Sequence, residues 1–204
     1  MPFPSEMEIN RMQETLHALR LQNWLGQDLW SWQWWLLLAA LIIPWLIWFR
    51  LADRRRIFEL LSYGFMAALV TGLVDSAATG MAWVSYPYKL IPAVPCLIPV
   101  TFGFVPVSYM LLYQYSHNWK TFLVNSTLFY GAAAFLLEPL ARYLGLYELL
   151  RWNYLYSFLV YMVIAVVLRA INLGFHSLCA EVRDAGSAES KRLVASPALK
   201  RQPD

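Results

Sequence analysis

Charge is what this sequence has least of. Asp, Glu, Lys and Arg make up 14% of its 204 residues, against about a quarter in an ordinary soluble domain. With 59% apolar residues and a mean hydropathy of +0.45, too little polar surface remains to face water on all sides. The deficit excludes a soluble globular domain and points to lipid as the solvent.

Histidine and cysteine are scarce too, at three and two. His17, His117 and His176 do not stand at metal-ligand spacing, and no CxxC, HExxH, glycine-rich phosphate loop or GxSxG elbow occurs. No metal, nucleotide or other cofactor is therefore expected. Cys96 and Cys179 fall on opposite sides of the topology below, so no intramolecular disulfide is expected. The net charge is only +3, and the basic residues gather beside apolar runs, which excludes nucleic acid and makes lipid phosphate their expected partner. A cleaved signal is not expected either, because Met1 to Gln27 are polar and carry Glu6, Glu8 and Glu14.

What the chain does have is long apolar runs. About 20 helical residues cross about 30 Å of hydrocarbon, and five runs qualify: about 32–49, 58–84, 91–113, 121–137 and 155–175. The expected fold is all-α, a polytopic helical bundle of five transmembrane helices over residues 30–177. Before it, residues 1–29 form a polar leader in which Ile9, Met12, Leu16 and Leu19 recur at three- and four-residue spacing, the pattern of an amphipathic surface helix. After it, residues 178–204 read as a disordered basic tail. Trp30, Trp32, Trp34 and Trp35 at one end of the first run, and Trp45 and Trp48 at the other, suit the headgroup level.

Lys and Arg set the orientation, because short cytoplasmic loops retain positive charge. Arg50, Arg54, Arg55, Arg56, Lys120, Arg183, Lys191, Arg192, Lys200 and Arg201 fall on one side, whereas Arg11, Arg20, Lys89, Arg142 and Arg151 fall on the other. The amino terminus is expected outside and the carboxyl terminus inside.

Two acids interrupt the apolar runs. Asp75 lies about ten residues, hence about 15 Å, from the expected outer end of its span. A carboxylate at that depth costs about 2.5 to 3.5 kcal/mol on insertion scales, so it should face the bundle or a wet cavity. Gly64, Ala68, Thr71, Gly72, Ala78, Thr79 and Ala82 share its helical face, and such small residues let helices approach closely. Asp75 is then either an interhelical hydrogen-bonding group or a functional acid. Glu138, at the end of the fourth span, has Arg142 four residues on for a local ion pair. The functional alternative joins it to Asp75 and the outer tyrosines Tyr86, Tyr88, Tyr143 and Tyr147 as a proton shuttle. Asp75 and Glu138 are the candidate catalytic residues.

Two further patterns stand out. Pro92, Pro95, Pro99 and Pro106 form one stripe on the third span, with Gly103 close by; this is either a kinked packing helix or a row of freed carbonyls facing a cation or a water chain. At the inner end of the fifth span, Arg169, Asn172 and His176 share a face, with His117 and Asn125 expected at similar depth. Snorkelling to lipid phosphate accounts for them, and an anion or polyprenyl-phosphate headgroup site is the alternative.

Taken together, the acid of the second span, Tyr86-Pro87-Tyr88, the prolines of the third, Tyr113-Gln114-Tyr115, Lys120, Glu138 and Trp152 resemble an uncharacterised family of small multipass membrane proteins of endospore-forming Gram-positive bacteria. The likeness covers about Phe58 to Phe175; the amino-terminal leader is not part of it. The resemblance implies a five-helix fold in a bacterial plasma membrane and assigns no substrate or active residue.

Three functions compete. The first is a non-enzymatic membrane component, such as a sensor, accessory subunit or envelope scaffold, with the bilayer and other membrane proteins as partners. The second is a small proton, cation or lipid-linked solute carrier that titrates Asp75. The third is an intramembrane enzyme on an isoprenoid or other lipid, with Asp75 or Glu138 as general acid.

Overall fold

A computed structural model describes the backbone of residues 5–195 and side chains through Phe175 and at Ser177. The chain divides into two compact units, 1–166 and 167–204. Four helices are long and apolar enough to cross a membrane: Trp32–Leu51, Arg54–Gly80, Trp119–Tyr143 and Tyr154–Phe175.

The elements run α1 Glu6–Asn23, α2 Trp32–Leu51, α3 Ile57–Gly80, β1 Val84–Ser85, α4 Val105–Tyr115, α5 Trp119–Ala132, α6 Glu138–Tyr143, β2 Glu148–Leu149 and α7 Tyr154–Ala195. Ser5 and Glu8 start α1 with a reciprocal cap, in which the Glu8 N–H donates to Ser5 Oγ and the Ser5 N–H to Glu8 Oε2. Met7, Met12, Leu16 and Leu19 of α1 are exposed.

α3 shows what solvent the fold is built for. One face, Leu60, Tyr63, Gly64, Ala67, Ala68, Thr71 and Ala78, is buried, whereas Phe58, Phe65, Leu69 and Leu73 lie outward and exposed. A helix apolar on both faces belongs in hydrocarbon. Small residues of α3 pack on α4 and the turn before it: a Cβ on Gly64 would stand 2.7 Å from Met110 Sδ of α4, and one on Gly72 3.1 Å from Cγ2 of Thr101, which precedes α4.

The third expected span begins later than the sequence suggested. Residues 91–97 are turns and bends, and the helix runs from 98 to 115, so Pro92 and Pro95 are loop residues and the four-proline stripe does not form. Prolines without N–H groups, each biasing its predecessor away from helix, keep that stretch irregular. Two prolines inside helices, Pro106 and Pro44 of α2, have local consequences. Pro106 has no N–H for the Phe102 carbonyl, and the Trp45 indole N–H donates there instead at 2.8 Å. Pro44 likewise frees the Ala40 carbonyl, which lies 2.6 Å from where a Cβ on Gly103 would stand. α2 and the start of the 98–115 helix thus meet backbone to backbone.

Two short π turns, Val100–Phe104 and Ala133–Leu137, lie just ahead of Pro106 and Pro139. A π turn widens the helix by one residue and is frequent at functional sites. Both line the central cavity described below.

The second span also ends sooner than expected, at Gly80. Ala82 takes a left-handed φ of 54° and the Trp83 N–H returns to the Ala78 carbonyl at 2.9 Å, which closes the helix and turns the chain into β1. β1 pairs antiparallel with β2, Val84 opposite Leu149, adding a small ribbon to an otherwise helical fold. Indole Nε1 of Trp24 donates to the Lys89 carbonyl at 2.9 Å, bringing α1 to the same end as the ribbon. At the opposite end, Gln114 Nε2 donates to the Leu51 carbonyl at 2.8 Å, and Arg56 and Tyr113 both donate to Glu59 Oε1 at 2.7 Å.

α7 continues to Ala195, through residues 178–195 that were expected to be disordered; Ala, Glu, Lys and Arg are strong helix formers and no proline intervenes before Pro197. Residues 196–204 lie outside the described ones.

Candidate functional site

Asp75 lies in the last helical turns of α3, five residues before Gly80. That is about 7 Å along the axis, so it sits beneath the ribbon end, nearer the end of its helix than the ten residues expected. Both carboxylate oxygens are taken. The Tyr86 hydroxyl donates to Oδ1 and the Leu97 backbone N–H to Oδ2 at 2.9 Å. Leu97 directly precedes the 98–115 helix, so its N–H is one of the unpaired donors of a helix start, where a carboxylate is favoured. Burial, and then the neighbouring Asp75 carboxylate, hold the Tyr86 hydroxyl well above its ordinary range, which keeps it a proton donor.

Glu138 does not form the local ion pair with Arg142. The α6 start points it toward α7, where Ser157 Oγ donates to Oε2 at 2.9 Å and the Tyr161 hydroxyl to Oε1 at 2.7 Å. Ser157 in turn accepts the Trp152 indole N–H at 2.9 Å. Glu138 and Arg142 both lie in α6, so their spacing is helical; the carboxylate turns instead to two hydroxyl donors on the facing helix α7.

The two acids line neighbouring cavities. Glu138 lines a chamber of about 260 Å³ whose walls include Phe104, Tyr109, Tyr130 and Ala133. Asp75 lines a smaller one of about 90 Å³. Tyr86, Tyr147 and Tyr161 belong to both, and the Tyr86 and Tyr147 rings stack at 5.8 Å. The expected meeting of acids and tyrosines thus holds for Tyr86 and Tyr147. Tyr143 is 87% exposed, and Tyr88 packs instead on the cluster of Leu37, Leu90, Leu97 and Leu146.

In the larger chamber one polar group stands alone. Tyr130 is 3% exposed, and its hydroxyl lies beside those of Ser108 and Tyr109 but makes no hydrogen bond of good geometry. The Tyr109 hydroxyl is committed to the Tyr161 carbonyl at 3.0 Å and Ser108 Oγ to the Val105 carbonyl at 2.7 Å. An unpaired hydroxyl in an apolar chamber is a place for a ligand's polar atom or a water.

Ser157 and Tyr161, the partners of Glu138, were missed by sequence reasoning. Their signal was there: Tyr154, Ser157 and Tyr161 stand at spacings of three and four on an apolar helix, a polar stripe that must face protein. Arg169 and Asn172 lie on α7; the side chain of His176 lies outside the described residues. Among the described residues, no group of three or more His, Cys, Asp and Glu side chains is placed to hold a metal ion.

Compared with known proteins, the chain matches no family model, no curated sequence and no solved structure.

Proposed function

We propose that this chain is a non-enzymatic membrane component of the sensor or accessory class, which holds a small, mostly apolar molecule in the chamber beside Glu138. The observation that carries the reading is the chamber itself: about 260 Å³ of largely apolar space with a carboxyl at its edge and the unpaired Tyr130 hydroxyl in its wall. Small-molecule sites begin at about 300 Å³ and combine apolar walls with a few polar groups, so the occupant is ring-sized, not a long-chain lipid. All four oxygens of Asp75 and Glu138 already accept a hydrogen bond from the protein, which suits holding a shape more than turning over a substrate.

In the same reading the chain crosses a bacterial plasma membrane five times, with the amino terminus and the β ribbon outside. The 98–115 helix, 18 residues or about 27 Å long, supplies the fifth crossing, and the excess of Lys and Arg at the Arg54–Arg56 end supports that end as cytoplasmic.

Native mass spectrometry of the protein purified from its own host tests the proposal. Wild type should carry a bound small molecule that Ala133→Phe, which fills the chamber, excludes and Tyr130→Phe weakens. A wild type without adduct, or one whose adduct survives both changes, overturns it.

A second reading, a proton or cation carrier, draws on the tyrosines shared by the two acid-lined cavities. Proteoliposomes showing flux abolished by Asp75→Asn would favour it; no Asp75-dependent flux would remove it.

A further inference from the structure

A second polar space lies at the ribbon end, distinct from the two acid-lined cavities although Tyr86 lines its wall as well as theirs. It measures about 270 Å³ and brings together Arg20 and Asn23 of α1, Asp28, Ser85 and Lys89. From these residues we infer that the junction of α1 with the 81–97 loop is a binding site for a phosphate group, held by Arg20 and Lys89.

Two cations converge there with little to hold them together. Lys89 is fixed, donating through Nζ to the Val94 carbonyl at 3.1 Å and the Pro95 carbonyl at 3.2 Å, which leaves one of its three N–H groups for a ligand. Arg20 makes no ion pair or hydrogen bond among the described residues, so its five donors are uncommitted. Burial and then repulsion from Arg20 lower the Lys89 ammonium from its ordinary value. An anion between the two relieves that repulsion.

The one carboxylate in this space is already engaged. Asp28 accepts Asn23 Nδ2 at 3.4 Å and the backbone N–H of Lys89, so its oxygens are directed at protein donors. Thr79, also in the wall, donates to the Asp75 carbonyl at 2.8 Å and is no donor to a ligand. Ser85 is a neutral one.

The location names the class of ligand. Trp24 pins α1 to the loop, and Trp30, Trp34 and Trp35 form a ring cluster in the next few residues, with centroids 5.1 to 5.7 Å apart. Indoles collect at the headgroup level of a bilayer, where phosphate is the abundant anion. A guanidinium and an ammonium together match its oxygens. The ligand is the phosphate of a phospholipid headgroup or the free ion, two sources with one chemistry.

The full-length protein in detergent separates them. In one arm, native mass spectrometry follows retention of phosphatidylglycerol, phosphatidylcholine and diacylglycerol by wild type, Arg20→Gln and Lys89→Gln. A headgroup ligand predicts that wild type holds one phospholipid about tenfold more tightly than either variant, and no diacylglycerol. In the other arm, inorganic phosphate replaces chloride at constant ionic strength in a thermal melt. A free-ion ligand predicts a rise in Tm for wild type that Arg20→Gln lacks. Arg20 is exposed on a surface helix, so its substitution leaves the bundle intact. Phospholipid retention equal in all three proteins, with no Arg20-dependent effect of phosphate, overturns the site.

Discussion

Tyr161 donates its hydroxyl to Glu138 Oε1 at 2.7 Å across 23 residues of sequence. With Ser157 on the other oxygen, a single carboxyl ties the end of the α5–α6 helix to α7 and forms one edge of the central chamber. Asp75 plays the matching part at the ribbon end, tying α3 to Tyr86 and to the start of the 98–115 helix.

Removing donors one at a time measures that tie. Interhelical hydrogen bonds in membranes average about 0.6 kcal/mol and reach about 1.7, so Tyr161→Phe and Ser157→Ala should each lower stability by about 1 kcal/mol in a denaturant titration in detergent. The double variant leaves a buried carboxyl with neither donor and should lose more than the sum. Strict additivity would show that the two donors do not share one acceptor.

The Trp45–Phe102 contact should depend on a proline. Trp45→Phe orphans the Phe102 carbonyl only because Pro106 has no N–H to offer it. In a Pro106→Ala background the helix supplies its own donor, and the same Trp45 substitution should cost less, with a coupling of about 0.5 to 1 kcal/mol. A double-mutant cycle read by thermal unfolding returns that coupling; zero would mean that the indole and the proline act independently.

Glycines differ by what surrounds them. A Cβ on Gly103 meets backbone, 2.6 Å from the Ala40 oxygen and 2.8 Å from Leu41 Cα, so Gly103→Ala must separate α2 from its neighbour and should cost about 1 to 3 kcal/mol. A Cβ on Gly64 meets the buried Met110 side chain, 2.7 Å from Sδ and 2.8 Å from Cγ, and alanine there gains about 1 kcal/mol of helix propensity against that strain. Gly64→Ala should cost less than Gly103→Ala in the same melt. The reverse order would contradict the backbone contact.

These pairings explain which parts of the fold were legible in one dimension. Asp75 and Glu138 stand out in the sequence because a charge inside an apolar run has no cheap alternative to a partner. Their partners do not stand out: Leu97 contributes a backbone N–H, and Tyr86 and Tyr161 are two of twelve tyrosines. Hydropathy marks where hydrocarbon is tolerated but not where a helix stops, so the apolar Met81–Val84 stretch reads as span although Ala82 has already reversed the chain. Pro92 and Pro95 were misplaced for the same reason. The polar space at Arg20 and Lys89 escaped altogether, because it joins residues far apart in the chain.

Asp28 gives the ribbon end a pH dependence whose sign can be stated. Burial, at 5% exposure, raises its carboxyl above the ordinary value of 3.8, and the Lys89 N–H lowers it by less. The folded protein therefore holds this proton more tightly than the unfolded chain. The contribution to stability is complete below pH 3.8 and is lost as pH rises through the elevated folded value. Asp28→Asn keeps an acceptor for Asn23 but cannot ionise. Its Tm should equal that of wild type at the acid end of a series from about pH 3.5 to 7.5 and exceed it toward neutrality. Subtracting one curve from the other removes the contributions that the two proteins share. A difference that stays flat, or that favours wild type at neutral pH, would mean that the Asp28 carboxylate is compensated where it lies.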